Sequence, residues 1–219
     1  MQIHVVIYRT AFLGLALLAG AMAHAQQEEV NPNFFYFYKG DTPGGWHWVL
    51  GDPGNYWMPL EGNEGVSEGQ KLTMEKSDSK DFPWAVKLTW KRSDKWGGAT
   101  ITGRTLDLSR YEHNGQLVLA LKLDERTNHK VHIKMECGDK CSGEVAIEDF
   151  LNAAKLNEWF ALPIPLDCFV KQGAKLESIN IPFQIGTTGE MVLHIAEIGL
   201  GPMAKDEEGC MPNDAEKKE

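Results

Sequence analysis

The sequence has little positive charge, few apolar runs and almost no helical periodicity. Lys and Arg number 22 against 31 Asp and Glu, which sets the formal net charge at −9. Proteins that bind DNA or RNA need a basic face, because release of cations from the phosphates drives that binding. Docking on an anionic membrane surface has the same requirement. We therefore expect neither a nucleic-acid partner nor attachment to such a surface.

Motifs for catalysis and metal binding are also scarce. The sequence holds no His-Glu-x-x-His zinc motif and no EF-hand loop. Glycoside hydrolysis requires two carboxylates at a set separation, but 31 acidic residues offer too many pairs to identify one. The sequence therefore predicts no catalytic residue and no cofactor. A structural Ca²⁺ ion stays open, with no ligands assigned to it.

One apolar run is prominent, and it lies near the amino terminus. It covers 11–20, follows Arg9 and precedes Ala23-His24-Ala25. A charged start, an apolar run of about 10 residues and a small-x-small end are typical of a secretory signal peptide, whereas a membrane span needs about 20 apolar residues. We predict a signal peptide over 1–25, no membrane span after its cleavage, and a periplasmic or extracellular protein.

Four cysteines follow the predicted signal peptide: Cys137, Cys141, Cys168 and Cys210. An even number of cysteines in an oxidising compartment suggests disulfides. A Cys137–Cys141 bond would close a tight turn in which Gly138 can adopt a positive φ, and Cys168–Cys210 would then close a loop worth roughly 4 kcal/mol in the chain-entropy model. A free, buried Cys168 and a zinc site at the first pair are the alternatives.

The remaining pattern is that of strands. Runs of alternating polar and apolar residues, bounded by Gly, Asn, Asp and Pro, predict eight or nine antiparallel strands with one buried face each. Seven such runs lie at 85–90, 100–102, 116–124, 130–136, 159–166, 178–184 and 190–200. Strands without intervening helices predict an all-β, two-sheet sandwich over 26–203. One short helix is predicted at 147–155, and 204–219 is a polar tail.

Tryptophan is concentrated in one part of the chain. Six of the seven Trp lie between positions 46 and 96, most densely in 44–57. The Gly, Pro, Asn and Asp of that stretch are typical of a loop. Exposed indoles in a loop would form a platform that stacks on sugar rings, while buried ones would close one end of the sandwich. The residues predicted to stack on carbohydrate are Trp46, Trp48, Tyr56 and Trp57.

A series of short motifs runs in order from Trp84 to Pro202. They are Trp90, Trp96-Gly-Gly-Ala-Thr-Ile-Thr-Gly103, Asp107-Leu-Ser109, Leu117-Val118, Met135-Glu-Cys-Gly-x-x-Cys141, Trp159, Ile164-Pro-Leu-Asp-Cys-Phe169, Gly173-Ala174, Pro182-Phe183 and Gly189-x-x-x-Leu193. In this order they resemble the ExoP-type galactose-binding-like domain, which stands at the carboxyl end of secreted family 3 exo-β-glucanases and glucosidases. Cys-Gly-x-x-Cys before Pro-Leu-x-Cys-Phe is the most specific part.

The resemblance implies a jelly-roll sandwich and a protein that works in the context of β-glucan or another polysaccharide. In the family the catalytic carboxylates lie in other domains, and the residues before the matching part are too few for a catalytic barrel of about 250 residues. We therefore expect a non-catalytic module, with a separate secreted glucosidase as a candidate partner. A small jelly-roll glycoside hydrolase or lyase is the first alternative. An envelope protein that contacts another protein through its aromatic patch is the second.

Overall fold

The computed structural model describes residues 34–203 and Cys210, so the predicted signal peptide and most of the predicted tail lie outside the described residues. Thirteen strands and two short helices follow one another along this part of the chain. They are β1 (Phe35–Phe37), β2 (His47–Asp52), β3 (Asn55–Pro59), β4 (Gly65–Val66), β5 (Leu72–Lys76), β6 (Val86–Trp90), β7 (Gly97–Thr102), β8 (Gly115–Glu125), β9 (Val131–Glu136), β10 (Ser142–Ala146), α1 (Glu148–Ala153), β11 (Trp159–Pro165), α2 (Leu166–Lys171), β12 (Ile181–Thr187) and β13 (Met191–Pro202).

The strands form two antiparallel sheets packed face to face. The seven-stranded sheet has the order β11-β8-β13-β6-β5-β4, and β1 pairs with β13. The six-stranded sheet has the order β10-β9-β12-β7-β2-β3. Strands that are neighbours in space are mostly distant in sequence, as in two-sheet Greek-key sandwiches. The predicted all-β sandwich is confirmed.

Alternation of side chains builds the core between the sheets. In β8 the leucines at 117, 119, 121 and 123 are all buried, and their neighbours at 118, 120, 122 and 124 are less so. Burying one such side chain stabilises the fold by roughly 1.5–3 kcal/mol relative to leaving it exposed. Trp90 and Phe183 are among the largest buried side chains.

The seven predicted runs all contain strands, but six further strands were missed. Five of them, β1 to β5, precede the first predicted run, and the sixth is β10. The prediction of a loop at 44–57 is wrong, because most of this stretch forms the β2–β3 hairpin. Residues 53–54 make the tight turn, so Pro and Gly in this segment mark a two-residue connection between strands.

The predicted helix is present but shorter than expected. It becomes α1, in which Leu151 is buried while Phe150 is exposed. Arg126 donates hydrogen bonds to the carbonyl oxygens of Leu151 and Ala154, which satisfies two acceptors left open at the carboxyl end of this helix. The second helix, α2, was not predicted, because its buried residues continue the apolar run of β11.

Two disulfides are formed, Cys137–Cys141 and Cys168–Cys210. Gly138 has a φ of 105°, as expected for the turn that the first bond closes. The second bond joins Cys210 to α2. The alternatives of a free Cys168 and of a zinc site at the first pair are thereby removed.

Among the described residues, no helix combines the length and the apolar character needed to cross a membrane.

Candidate functional site

The structure places two of the four predicted stacking residues in the core. Trp46 is 3 % exposed and lies edge-on to Tyr36, with 5.3 Å between ring centroids. Trp48 is fully buried and packs edge-on against Phe37 and Phe183. Neither indole has a face open to a ligand, so the stacking role predicted for Trp46 and Trp48 is wrong.

The other two predicted residues are exposed on β3. Tyr56 is 65 % and Trp57 48 % exposed. Leu50 pairs with Met58 and Asp52 with Asn55, so both aromatic residues lie opposite the single residue Gly51. A β-bulge of this kind lets two consecutive side chains leave the same side of a strand. Tyr56 and Trp57 therefore project from the outer face of the six-stranded sheet.

A third aromatic residue, Trp96, lies across this face on a strip of glycines. Gly51, Gly98 and Gly186 are directly opposite one another on β2, β7 and β12. A β-carbon on Gly98 would overlap the Trp96 indole, and one on Gly186 would come within 2.5 Å of its Nε1. The indole is thus in contact with the backbone of neighbouring strands, which only residues without side chains permit.

Tyr56, Trp57 and Trp96 lie on the same face of the sheet, and we name them the aromatic platform. The rings of Tyr56 and Trp96 are 6.2 Å apart at their centroids, with 33° between their planes. Side chains in this arrangement present a broad apolar surface beside solvent. Trp96 is one of the six clustered tryptophans of the sequence, but its sequence context did not predict it as a contact residue.

Polar side chains occupy the rest of the same face. Gln184 on β12 donates a hydrogen bond to Thr100 Oγ1 on β7 over 2.9 Å. Further along, two ion pairs are formed, Lys134–Glu136 at 2.7 Å and His132–Glu144 at 3.0 Å. The face therefore combines an apolar platform at one end with amide, hydroxyl and charged groups towards the other.

Comparison with known proteins identifies the family. A sequence profile described as galactose-binding domain-like matches residues 45–200. The chain belongs to the ExoP-type family of galactose-binding-like domains. The resemblance deduced from the ordered motifs is confirmed, and so is the jelly-roll sandwich. A search of curated protein sequences gives no significant match.

Solved structures share this fold at low sequence identity. The extra C-terminal domain of the exo-1,3/1,4-β-glucanase ExoP from a Pseudoalteromonas species matches with a TM-score of 0.66 and 16 % identity over 82 % of this chain and 99 % of that domain. Within the structure of that glucanase itself, the match covers 79 % of this chain and 21 % of the enzyme, with a TM-score of 0.65 and 18 % identity. A family 30 carbohydrate-binding module of a cellulosomal cellulase of Clostridium thermocellum matches with a TM-score of 0.52 and 15 % identity, over 74 % of this chain and 94 % of the module.

The galactose-binding-like domain contains a Gly-x-Ser-x-Gly pattern at 65–69, a spacing also found around nucleophilic serines. Ser67 is buried and donates a 2.6 Å hydrogen bond to Asp52 Oδ2, while its Oγ accepts one from the N–H of Leu72. The pattern spans β4 and the turn before β5, without the strand-to-helix elbow that presents a nucleophile. It therefore serves the structure of the turn.

A buried Ser–His–Asp chain of hydrogen bonds lies on the opposite side of the sandwich, on the outer face of the seven-stranded sheet. Ser77 Oγ lies 2.7 Å from His194 Nδ1, and His194 Nε2 lies 2.8 Å from Asp124 Oδ2. Burial lowers the pKa of His194, and the hydrogen bond and charge of Asp124 oppose that effect. His194 is fully buried and Ser77 nearly so. A substrate cannot reach either group, so this series of hydrogen bonds stabilises the structure and does not take part in catalysis.

In residues 34–203 and 210, the cluster whose atoms come close enough to ligate a metal is Asp167, Cys168 and Cys210. Two of its members are joined in a disulfide, and disulfide sulfurs are not the thiolates that bind metals. This cluster does not fit a metal ion. The Ca²⁺ ion left open by the sequence stays a prediction without ligands.

Proposed function

We propose that this domain is a non-catalytic carbohydrate-binding module that takes a neutral, β-glucan-type chain across the outer face of the six-stranded sheet. The observation that carries the proposal is the position of Trp96, held flat on the glycine strip beside two exposed aromatic residues. A sugar ring has one face of C–H groups and a rim of hydroxyls. An aromatic platform with hydrogen-bonding groups beside it complements both.

The dimensions of the face suit an oligosaccharide. Adjacent strands lie about 4.8 Å apart, and the row that starts at Gly51 continues through Gly98, Gly186 and His132 to Ala146 on β10. Four strand spacings give roughly 19 Å, which accommodates several sugar rings. A chain lying along this row would stack on the platform at one end and contact polar groups at the other.

The charges on the face favour an uncharged ligand. His132 is paired with Glu144 and Lys134 with Glu136, so each cationic group already faces an acidic one. A uronic acid would meet a carboxylate beside each cation. The similarity to an accessory domain of an exo-1,3/1,4-β-glucanase and to a carbohydrate-binding module of a cellulase supports a β-glucan among neutral glycans.

Calorimetric titration with β-1,3, β-1,4 and mixed-linkage gluco-oligosaccharides of six units tests the proposal. We expect binding to at least one of them. Trp96→Ala and Trp57→Ala should each raise Kd at least tenfold, since aromatic residues central to an interface are worth about 2 kcal/mol. Phe150→Ala is the matched control, because Phe150 is an exposed aromatic residue on α1 and is not part of the platform.

Two results would refute the proposal. One is the absence of binding to every glucan tested, with the variants equally inert. The other is binding that both tryptophan variants retain in full. Release of reducing ends or unsaturated sugars by the purified protein would instead support the hydrolase or lyase alternative.

We propose, further, that the protein is secreted and works beside a separate secreted glucosidase or glucanase. Two disulfides fit an oxidising compartment. Amino-terminal sequencing of the exported protein should show cleavage after residue 25. Adding the protein to such an enzyme on insoluble β-glucan should increase sugar release, and Trp96→Ala should remove the increase. An unprocessed amino terminus, or equal release with and without the protein, would contradict these two proposals.

A further inference from the structure

A buried lysine lies beneath the aromatic platform. Lys71 is 4 % exposed, and the three N–H groups of its ammonium are shared among four backbone carbonyls within hydrogen-bonding distance. Two belong to the β6–β7 loop, Lys91 O at 2.5 Å and Ser93 O at 3.3 Å. The other two belong to the β12–β13 turn, Thr188 O and Gly189 O, both at 2.9 Å. An ammonium removed from water needs such partners, because burying it without them costs several kcal/mol.

The two segments that Lys71 joins are those that hold Trp96. The β6–β7 loop ends at Trp96 itself, and the β12–β13 turn follows Gly186, on which the indole lies. The stem of Lys71 runs along the inner side of Gly97, where a β-carbon would come within 2.6 Å of Lys71 Cγ. Lys71 and the Trp96 indole thus lie on opposite sides of the start of β7, and the ammonium fixes the chain between them.

A buried carboxylate, that of Asp52, fixes the β2–β3 hairpin, which bears Tyr56 and Trp57, in the same way. Asp52 Oδ1 accepts hydrogen bonds from the N–H groups of Gly54 and Gly69, at 2.8 and 2.9 Å. Its Oδ2 accepts from Ser67 Oγ at 2.6 Å and from the N–H of Lys71 at 3.2 Å. Burial by itself raises the pKa of Asp52, but these hydrogen bonds outweigh it and lower the pKa to about 2. The carboxylate therefore joins the β2–β3 turn to the β4–β5 turn.

Both connections meet in one short segment, 67–71, between β4 and β5. Through Asp52 this segment holds the hairpin that bears Tyr56 and Trp57, and through the Lys71 ammonium it holds the loop that bears Trp96. The β2–β3 hairpin and the β6–β7 loop are distant in sequence, so the position of their aromatic rings relative to one another depends on the segment that both contact.

We propose that Asp52 and Lys71 are positioning residues that set the geometry of the aromatic platform and so the affinity for glycan. The proposal rests on the proposed function and adds residues that lie inside the sandwich, out of reach of a ligand. Lys71 fixes the loop of Trp96, Asp52 fixes the hairpin of Tyr56 and Trp57, and the Lys71 N–H to Asp52 hydrogen bond couples the two.

The test compares Lys71→Met with Lys122→Met. Lys71→Met keeps the apolar stem and removes the ammonium. Lys122 pairs with Asp124 at 3.1 Å on the outer face of the seven-stranded sheet, and its side chain is also largely buried, so it is a matched control for loss of a lysine. Kd is measured by calorimetry at a temperature where denaturation curves show each variant to be folded. We expect Lys71→Met to raise Kd for the glucan at least tenfold and Lys122→Met to leave it unchanged.

A second readout needs no glycan. In protein labelled with 5-fluorotryptophan, the Trp96 resonance is assigned by its loss in Trp96→Phe. We expect it to shift or split in ligand-free Lys71→Met and to stay in place in Lys122→Met. Should Lys71→Met fail to fold, Lys71→Gln keeps two N–H donors and takes its place.

The role of Asp52 is tested with Ser67→Ala, which removes one hydrogen bond to the carboxylate and should raise Kd for the glucan about threefold.

The outcomes separate this inference from the proposed function. A folded Lys71 variant with wild-type Kd and an unmoved Trp96 resonance, alongside weakened binding by Trp96→Ala, overturns the role of Lys71 and leaves carbohydrate binding intact. A wild-type Kd in Ser67→Ala overturns the role of Asp52. If no glucan binds but the Trp96 resonance moves in Lys71→Met, the proposed function fails and the positioning by Lys71 stands.

Discussion

The outer faces of the two sheets differ although both carry tryptophan. On the seven-stranded sheet, residues 77–85 cross the surface between β5 and β6, and Phe82 packs against Trp159 with 4.6 Å between centroids. Trp159 donates its Nε1 hydrogen to Ser79 of the same connection, at 3.1 Å. The histidine below, His194, is fully buried. On this sheet the aromatic residues pack against one another and shield the outer face from solvent.

On the six-stranded sheet, the β2–β3 connection is the two-residue turn 53–54, which is too short to fold back over the strands. Trp96 lies on glycines, and Tyr56 and Trp57 stay exposed beside it. The number of tryptophans on a face therefore does not make it a binding face. The length of the connecting segments and the size of the residues beneath each ring decide whether the ring remains open to a ligand.

The glycine strip offers the strongest test of this difference. We expect Gly98→Val to displace the Trp96 indole, because the new side chain occupies its place, while the valine itself suits a strand. Glycan affinity should fall roughly thirtyfold, the loss typical of an aromatic residue worth about 2 kcal/mol at an interface. Thr89→Val on β6 is the control, an outward position of the other sheet. Calorimetry that shows less than a threefold loss in Gly98→Val would mean that the flat indole is not the contact.

Two polar residues, one on each face, should respond in opposite ways. Ser77→Ala leaves His194 Nδ1 without its hydrogen-bond partner in a buried site and should lower the free energy of unfolding by about 1–3 kcal/mol. Its glycan affinity should not change. Gln184→Ala should weaken glycan binding about fivefold, the value of one hydrogen bond, and should lower the free energy of unfolding by less than about 1 kcal/mol, because the lost bond to Thr100 is only partly buried. Urea denaturation and calorimetry on both variants check this, and the reverse assignment of effects would contradict the distinction between the faces.

The buried His194 network on the outer face of the seven-stranded sheet should make the stability of the protein depend on pH. Since the pKa of His194 is lowered by burial, the unfolded chain takes up a proton near pH 6.5 that the folded protein resists. This contribution to stability is therefore fully present above about pH 6.5 and is lost as the pH falls through the lowered pKa of the folded state. The groups facing the ring are Ser77, Asp124, Lys122 and Asp78.

Denaturation midpoints between pH 7 and pH 5 measure this effect. His194→Gln should flatten the dependence of the midpoint on pH in that range. Asp124, whose pKa is lowered by its hydrogen bonds to His194 and Lys122 against the effect of burial, loses its contribution only at more acidic pH. A midpoint that stays constant or rises on acidification would contradict the buried neutral state of His194.

Much of the fold could be predicted from local pattern. Alternation in runs such as 130–136 identifies a strand because the period of two is visible in a single segment. The β2–β3 hairpin was not recognised, since Gly, Pro and Asn also mark loops and the bulge opposite Gly51 interrupts the alternation. The family resemblance and the two disulfides were both confirmed, because each depends on motifs and cysteines that are read directly from the chain.

The candidate site was harder to predict for a physical reason. Tyr56 and Trp57 were expected to be exposed, but Trp46 and Trp48 were grouped with them by nearness in sequence alone. Trp96 becomes a surface residue because Gly51, Gly98 and Gly186 meet across three strands, and register between distant strands is not visible in one sequence. The same holds for Lys71, whose carbonyl partners come from two segments far along the chain.

Because of the bulge opposite Gly51, the shape of the outer surface depends more on the number of residues in β3 than on their identity. Met58 packs against the core, and the two residues before it share one side of the strand. Deleting a single residue between Asn55 and Met58 would restore strict alternation, leaving one ring outside where there were two. Homologues that vary at these positions by substitution would keep the shape of the surface, whereas those that gain or lose one residue here would have a narrower contact area and a different choice of ligand.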